Sequence, residues 1–202
     1  RNWWPHTEIL HRRTSLIQDA LPHITRKERP FPFNLPARDM GSFMLVDEHT
    51  MIASADCTSP FPDGELVFAE NHIDPPSTAY LKLWEALVRL GRQPQAGQRC
   101  LDAGACPGGW TWVMDRCGAE TLALDRSPLD PRLMASPRIR FRSGNAFAVT
   151  PENLGDYGWE RLDWLCSDLI CYPSKLYEWV KRWFDSGKVD NFVITLKMQG
   201  TA

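Results

Sequence analysis

A glycine-rich turn followed by a carboxylate is the most informative chemical pattern in this sequence. The segment RCLDAGACPGGWTWVMDRCGAETLALD, from Arg99 to Asp125, reads as an apolar run, a turn with three glycines, a helix and a second apolar run. Glycine lets the backbone approach a ligand closely, because no Cβ lies in the way. A carboxylate at the end of the next strand, here Asp125, can accept hydrogen bonds from both hydroxyls of a ribose. The pattern predicts a site for a ligand that contains a nucleoside.

The residue order within this turn distinguishes between two such ligands. A dinucleotide fingerprint, G-x-G-x-x-G, places its glycines where the backbone meets a pyrophosphate. Here the turn begins at Gly104, and Cys106 takes the place of the second glycine, where its side chain would crowd a pyrophosphate. Pro107 also removes an N–H donor before Gly108 and Gly109. S-adenosylmethionine has no phosphate, so the turn favours this cofactor, and a nicotinamide oxidoreductase stays as the alternative.

Alternating strands and helices must hold the turn in place. Such alternation is typical of a parallel sheet covered by helices on both faces. Ligands of these sheets bind at the carboxyl ends of the strands, where the strand order reverses. We therefore expect an α/β fold with a Rossmann-like sheet. The predicted strands lie at about 99–103, 120–124, 138–143, 162–167 and 191–197, and the predicted helices at 109–117 and 173–185, with a short one near 151–155.

A further helix precedes the sheet, in the segment PPSTAYLKLWEALVRLG. Ser77 is expected to cap its start and Gly91 its end. Its apolar residues recur at helical spacing and predict one buried face. These residues are Tyr80, Trp84, Leu87 and Leu90.

The sequence divides into two regions of different composition. Residues 1–76 hold nine of the sixteen prolines and all five histidines, which predicts a small α+β appendage to a domain at 77–202. Within the appendage, residues 6–21 have helical apolar spacing that ends before Pro22, and residues 43–56 read as two strands around a tight turn. The helical spacing rests on Ile9, Leu10, Leu16, Ile17 and Leu21.

Charge, apolar runs and cysteine content argue against a strongly basic, a membrane-spanning or a disulfide-rich protein. The net charge is −2, so any polyanion must be met by a local patch. No apolar run is long enough to cross a membrane. The six cysteines form no Cys-x-x-Cys pair and the histidines are scattered, so we expect reduced thiols, a cytoplasmic location and no metal site.

Four segments, in order, resemble the FtsJ/RrmJ-like ribose 2′-O-methyltransferases. The likeness is greatest to those members that act on cytidine of large-subunit ribosomal RNA, and it runs from about residue 43 to 202. The resemblance implies S-adenosylmethionine as cofactor and RNA, specifically large-subunit ribosomal RNA, as partner. It also implies that the 1–76 region is a partial RNA-binding domain of the THUMP kind. The four segments are PPSTAYLKLWEA, LDAGACPGGWT, CSDLICYP and VITLKMQG.

The resemblance also implies site residues by position. The family's catalytic Lys-Asp-Lys set falls on Lys82, Asp168 and Lys197. Its cofactor contacts fall on Ser77, Gly104, Cys106, Pro107, Gly108, Gly109, Trp110, Asp125, Asn145 and Asp168.

Transfer of a methyl group to a ribose hydroxyl explains why such a set is needed. The hydroxyl holds its proton tightly, so the site must align the oxygen and take or guide that proton. A lysine accepts a proton only in its neutral form, which a second lysine nearby favours. Under this hypothesis Lys197 is the base or steers the hydroxyl, Lys82 assists it and holds a phosphate or ribose, and Asp168 orients both lysines.

Three departures from the family pattern leave a second reading open. Asn145 stands where the family has an aspartate, although its amide oxygen can still accept a bond from the adenine amine. Thr78 stands where an arginine is common. The sequence ends at Ala202, before the family's catalytic glutamate and last strands, so we expect these C-terminal strands to be missing. The alternative is an RNA-binding module that keeps the fold without the chemistry.

Overall fold

The computed structural model describes residues 2–37 and 40–198. Its backbone contacts divide the chain into two compact units, Arg1–Glu70 and Asn71–Ala202. The division falls earlier in the chain than the change of composition after residue 76.

The described residues of the first unit include a small sheet and an α-helix. Strand β2 pairs in parallel with β1 and antiparallel with β3, in the order β1-β2-β3. The two strands predicted within residues 43–56 are confirmed as β2 and β3, whereas the sequence analysis did not anticipate β1. The elements are β1 (Asn2–Pro5), α1 (His11–Asp19), β2 (Met40–Leu45) and β3 (Met51–Ser54).

Helix α1 is shorter than the apolar spacing predicted. Leu10 has a φ of 54°, in the left-handed region, so the helix cannot extend back towards residue 6. It ends at Asp19, before Pro22 is reached. The spacing does not mark a buried face either, because Leu16 is 64% exposed and Thr14 is the buried residue of the helix.

The second unit is the predicted α/β domain. Within its described residues, five strands run parallel in the order β6-β5-β4-β7-β8, which confirms the Rossmann-like sheet. The strand order reverses between β4 and β7, and the crevice at their carboxyl ends is where ligands of such sheets bind. The elements are α2 (Tyr80–Leu90), β4 (Arg99–Ala103), α3 (Gly109–Arg116), β5 (Glu120–Asp125), α4 (Pro131–Met134), β6 (Ile139–Ser143), β7 (Leu162–Ser167), α5 (Pro173–Ser186) and β8 (Val189–Ile194).

The sequence predicts the C-terminal end of helix α2 correctly but not its start. Gly91 ends the helix with a φ of 67°, as expected. The prediction that Ser77 caps the start is wrong, because Ala79 occupies the N-cap position and the start of the helix has no side-chain cap hydrogen bond. The buried face is also shifted. Leu90 is 46% exposed, while Leu83 is fully buried.

Two other boundaries were misplaced. Strand β8 ends at Ile194. Lys197 therefore follows the strand instead of belonging to it. The short helix predicted near 151–155 is a single 3-10 turn at Leu154–Tyr157.

The sheet is packed on both faces because side chains alternate along its strands. Leu101 and Ala103 of β4 belong to the core that contains Trp179 and Trp183 of α5. Asp102, between them in sequence, faces the other way and contacts Thr111 of α3. Helices α2 and α3 pack through an aromatic cluster of Tyr80, Trp84 and Trp112.

None of the helices in the described part of the chain is long and apolar enough to cross a membrane. All six cysteines are free thiols, and two of them, Cys100 and Cys166, lie buried in the strands β4 and β7. They pack there as small apolar residues.

The buried carboxyl of Asp102 is the least expected group in this core. It is 1% exposed, and its Oδ2 accepts a hydrogen bond of 2.6 Å from the Thr111 hydroxyl. Burial raises the pKa of Asp102 to about 7, although the bonds from Thr111 oppose that rise. A carboxyl with a higher pKa in the folded state than in the unfolded state loses protons preferentially on unfolding. Its presence therefore destabilises the fold as pH rises from about 4 to about 7.

We predict that Asp102→Asn removes this pH dependence. The amide cannot ionise, and its oxygen can still accept the Thr111 bond. Relative to the parent, the variant should gain roughly 1–4 kcal/mol in free energy of unfolding between about pH 5 and about pH 8. Urea denaturation at both pH values measures the gain. Glu160→Gln, at an exposed carboxyl, is the control. Identical pH profiles for Asp102→Asn and the parent would contradict the assignment.

Candidate active site

Three charged side chains from separate elements meet at the carboxyl edge of the sheet. Asp168 directly follows β7, Lys197 follows β8, and Lys82 lies on α2. Lys82 Nζ donates a hydrogen bond of 3.0 Å to Asp168 Oδ2. Lys197 Nζ donates one of 2.8 Å to the backbone carbonyl of Asp168 and lies 3.2 Å from its Oδ1. The structure thus brings together the three residues that the resemblance proposes as catalytic.

Asp168 is the best shielded member of this cluster. Its side chain is 16% exposed, against 27% for Lys197 and 53% for Lys82. Burial raises the pKa of Asp168, but the contacts with Lys82, Thr195 and Lys197 together outweigh it and hold the pKa below its usual value. The carboxylate is therefore charged at neutral pH and holds both ammonium groups.

Two buried oxygen atoms at this end of the sheet lack a well-aligned hydrogen bond within the described residues. One is Oδ1 of Asp168, where the contact with Lys197 is an ion pair without hydrogen-bond geometry. The other is Oγ of Ser77, beside the glycine turn. Leaving such an atom unpaired costs about 1–3 kcal/mol. Asp168 Oδ1 is compensated by the charge of Lys197, whereas the Ser77 oxygen fits a site in which a polar ligand supplies the missing partner.

The glycines of the turn are required by the chain's own packing. Gly104 and Gly108 have φ values of 86° and 119°. A Cβ at Gly104 would lie 2.7 Å from Leu169 Cδ2, and one at Gly108 would lie 2.3 Å from Leu133 Cδ1. A Cβ at Gly109 would lie 2.6 Å from Ser77 Oγ. The sequence analysis attributed these glycines to the approach of a ligand. Neighbouring protein atoms are enough to require them.

Asp125 closes the turn from the end of β5. Its Oδ2 accepts a bond of 3.0 Å from the Cys106 amide, and its Oδ1 accepts one of 3.1 Å from the Ser127 amide. Each carboxylate oxygen retains acceptor capacity, so ribose hydroxyls can still be bound. The thiol of Cys106 is half-buried, and both burial and the charge of Asp125 raise its pKa. A nucleophilic role for this cysteine is therefore disfavoured.

A cleft of about 220 Å³ opens beside the turn. Gly104, Asp125 and Asn145 line it, so three residues predicted from distant parts of the sequence share one concave surface. Pockets for whole ligands usually measure roughly 300–1,000 Å³, so this cleft has room for part of one. Phe147, Cys171 and Lys175 also line the cleft. No sequence pattern marks them, because their local sequence shows only ordinary turn and helix residues.

Asn145 already has a structural role in the turn that it begins. Its Oδ1 accepts a bond of 3.1 Å from the Phe147 amide and caps the 3-10 turn Ala146–Ala148. An amide oxygen can accept two hydrogen bonds, so the predicted adenine contact would use the second. That contact stays a prediction.

Trp110 has no free ring face for a ligand. Its side chain is 4% exposed, and its indole N–H donates a bond of 2.9 Å to the carbonyl of Ala79. Only its backbone is available to a cofactor. Trp112 is buried too, against Tyr80 and Trp84.

Fold and site together define a Rossmann-like methyltransferase, and comparison with known proteins identifies the family. Residues 76–184 match the model of the FtsJ-like methyltransferases, so the chain belongs to this family. The matched region includes Lys82, the glycine turn, Asp125 and Asp168, whereas Lys197 lies beyond it.

Several curated proteins similar to this chain have the name ribosomal RNA large subunit methyltransferase M. That of Halorhodospira halophila is 32% identical over 126 residues, which cover 61% of this chain and 35% of the relative. That of Shewanella woodyi is 32% identical over 149 residues, covering 70% and 39% respectively. The chain therefore spans little more than a third of the length of these relatives.

A solved structure from Plasmodium falciparum, described as a ribosomal RNA methyltransferase, is also similar. Its TM-score is 0.47 at 16% identity, and the match covers 61% of this chain and 79% of that one. A likeness of this size adds nothing to the assignment, which rests on the family match.

We predict that Gly108→Ala destabilises the domain by roughly 1–3 kcal/mol, because the new methyl group meets Leu133 and the backbone is strained. Adding Leu133→Ala should relieve the clash. The double variant is then less destabilised than the sum of the single variants. Urea denaturation of the four proteins measures the cycle.

Gly91→Ala is the matched control for the backbone strain. Gly91 also has a positive φ, but nothing lies within 4 Å of its added Cβ. Purely additive effects of Gly108→Ala and Leu133→Ala would show that contact with Leu133 does not fix Gly108.

Proposed function

We propose that this protein transfers a methyl group from S-adenosylmethionine to the 2′-hydroxyl of a ribose in RNA, with large-subunit ribosomal RNA as the substrate. The observation that carries the proposal is the Asp168 carboxylate held between Lys82 and Lys197, at the strand-order reversal and next to the glycine turn. The name of these similar curated proteins supports the choice of RNA.

The chain's own residues fit the cofactor. Asp125 would hold the ribose hydroxyls, Asn145 the adenine amine, and Ser77 Oγ a polar group of the amino-acid part. The backbone of residues 106–110 would lie along the ligand. When bound, the cofactor supplies a methyl group on a positively charged sulfur, which becomes a neutral thioether as the methyl leaves.

The lysines and the aspartate would act on the hydroxyl. Its oxygen forms the bond to the methyl carbon, and the electron pair of the broken bond stays on sulfur. The hydroxyl proton goes either to Lys197 as base or to water while Lys197 steers the oxygen. Lys197 Nζ donates to the Asp168 carbonyl and pairs with its carboxylate, contacts that favour the steering role. Lys82, the more exposed lysine, would hold the adjacent ribose or phosphate.

The division of labour between the two regions is also part of the proposal. Residues 77–202 form the catalytic domain, and residues 1–76 present RNA as a partial THUMP-like region. The assignment to RNA presentation rests on the family resemblance.

We predict that Lys197→Ala lowers methyl transfer by roughly 10²–10⁴-fold, because the group that guides the hydroxyl is lost. Tritium transfer from labelled S-adenosylmethionine to ribosomal RNA measures the rate. Calorimetric titration should show unchanged binding of S-adenosylmethionine and S-adenosylhomocysteine, and no binding of NADH.

Lys181→Ala is the matched control, since Lys181 is an exposed lysine that pairs with Asp185 within α5. It should transfer methyl groups at the parental rate. A parent protein that binds both cofactor and RNA but transfers nothing would instead indicate the non-catalytic RNA-binding module.

Lys197→Arg separates the two roles of Lys197. A guanidinium stays protonated in proteins, so it can donate a hydrogen bond but cannot accept the proton. We expect this variant to retain measurably more activity than Lys197→Ala, as steering requires. Equal inactivity of the two variants, with cofactor binding intact in both, would point to the base role.

A further inference from the structure

The loop that follows Asp168 alternates between buried and exposed side chains. Leu169 and Cys171 pack against the hydrophobic core of the domain. Ile170 is 80% exposed and Tyr172 is 68% exposed. The inward residues therefore anchor the loop, and its two large outward side chains form what we call the rim surface.

The anchoring is close, which limits how the loop can move. Leu169 lies so near the glycine turn that a Cβ at Gly104 would be 2.7 Å from its Cδ2. At the other end, the carbonyl of Tyr172 accepts bonds from the amides of Lys175 and Leu176, in the first turn of α5. Both ends of the loop that carries the rim surface are thus fixed by contacts with the packed domain.

The loop that carries the rim surface adjoins both the charged cluster and the cofactor cleft. The loop starts at Asp168, which contacts both Lys82 and Lys197. Ile170 and Cys171 line the same cleft as Asp125. A ligand that fills the cleft therefore lies beside this loop.

Cations accompany these exposed apolar side chains. Lys175 is an exposed lysine that lines the cleft, with its Nζ over the Phe147 ring at 4.6 Å from the centroid. Lys82 is half exposed on the other side of Asp168. Apolar faces next to ammonium groups match the stacked bases and phosphates of a nucleic-acid strand.

We propose that the rim surface, Ile170 and Tyr172, stacks against an unpaired base of the RNA while Lys175 contacts a neighbouring phosphate. The inference rests on the proposed function and adds to it the kind of RNA that is bound. In a duplex both faces of a base are covered by its neighbours, so only an unpaired nucleotide can offer a face to Tyr172. The substrate region is therefore single-stranded when it is bound.

The test uses a short single-stranded oligoribonucleotide that contains 2-aminopurine, whose fluorescence falls when the base is stacked. The parent protein should bind it with quenching, and bind the same strand much more weakly once it is annealed to its complement. Tyr172→Ala should weaken binding by roughly 5- to 150-fold and abolish the quenching. Tyr172→Phe keeps the aromatic face and should bind as the parent does.

Two further variants complete the design. Tyr177→Ala removes an equally accessible tyrosine from α5, 59% exposed, and should leave the affinity unchanged. Lys175→Ala should weaken the binding of every RNA sequence to a similar extent. It should also reduce the slope of log affinity against log salt concentration by about 1, as expected for the loss of one phosphate contact.

The outcomes separate this inference from the proposed function. If Tyr172→Ala binds and methylates RNA like the parent, the rim surface does not stack a base, but the methyltransferase proposal stands. If the parent binds S-adenosylmethionine but no RNA, both proposals are overturned. If Tyr172→Ala instead changes the mass in light scattering and leaves RNA binding intact, a second copy of the chain covers the surface and the inference is wrong.

Discussion

The Asp168 carboxylate, held between two ammonium groups, is the interaction on which the candidate site depends. Lys82 comes from a helix before the sheet, and Lys197 from the chain after its last described strand. A single negative charge fixes both, and its pKa is held below the usual value although burial opposes this. Without it, two like charges would be left close together at the edge of the sheet, where they would repel each other. The glycine turn and the cleft adjoin this point through Leu169, which follows Asp168, lies against Gly104 and lines the cleft.

The glycine turn shows how a binding loop can be constrained by packing rather than by its ligand. Leu133 and Leu169 occupy the space that side chains at Gly108 and Gly104 would need. The turn is therefore held in one shape before any ligand arrives, which lowers the ordering cost of binding. The same Leu169 anchors the loop that carries Ile170 and Tyr172, so the cofactor turn and the proposed RNA surface share one packed side chain.

Local patterns were reliable where one element decides the outcome by itself. Strands β4 to β7 and helices α3 and α5 lie close to their predicted positions, because apolar runs and helical spacing are properties of short segments. The patterns failed where packing between elements decides. Leu90 was expected to be buried and is exposed, and Ser77 was expected to cap a helix and packs against Gly109.

The sequence by itself determined the α/β class, the parallel sheet, the glycine turn and the residue types of the charged cluster. The first three follow from periodicity and a contiguous motif, whereas the residue types of the charged cluster follow from the resemblance to the family. Only the tertiary structure decided that Lys82, Asp168 and Lys197 meet, because they are far apart in the chain and the strand order β6-β5-β4-β7-β8 brings their elements to one edge. It also decided which side of the loop after Asp168 faces solvent. The orientation depends on how Leu169 and Cys171 pack against the core, and a local sequence pattern does not determine that packing.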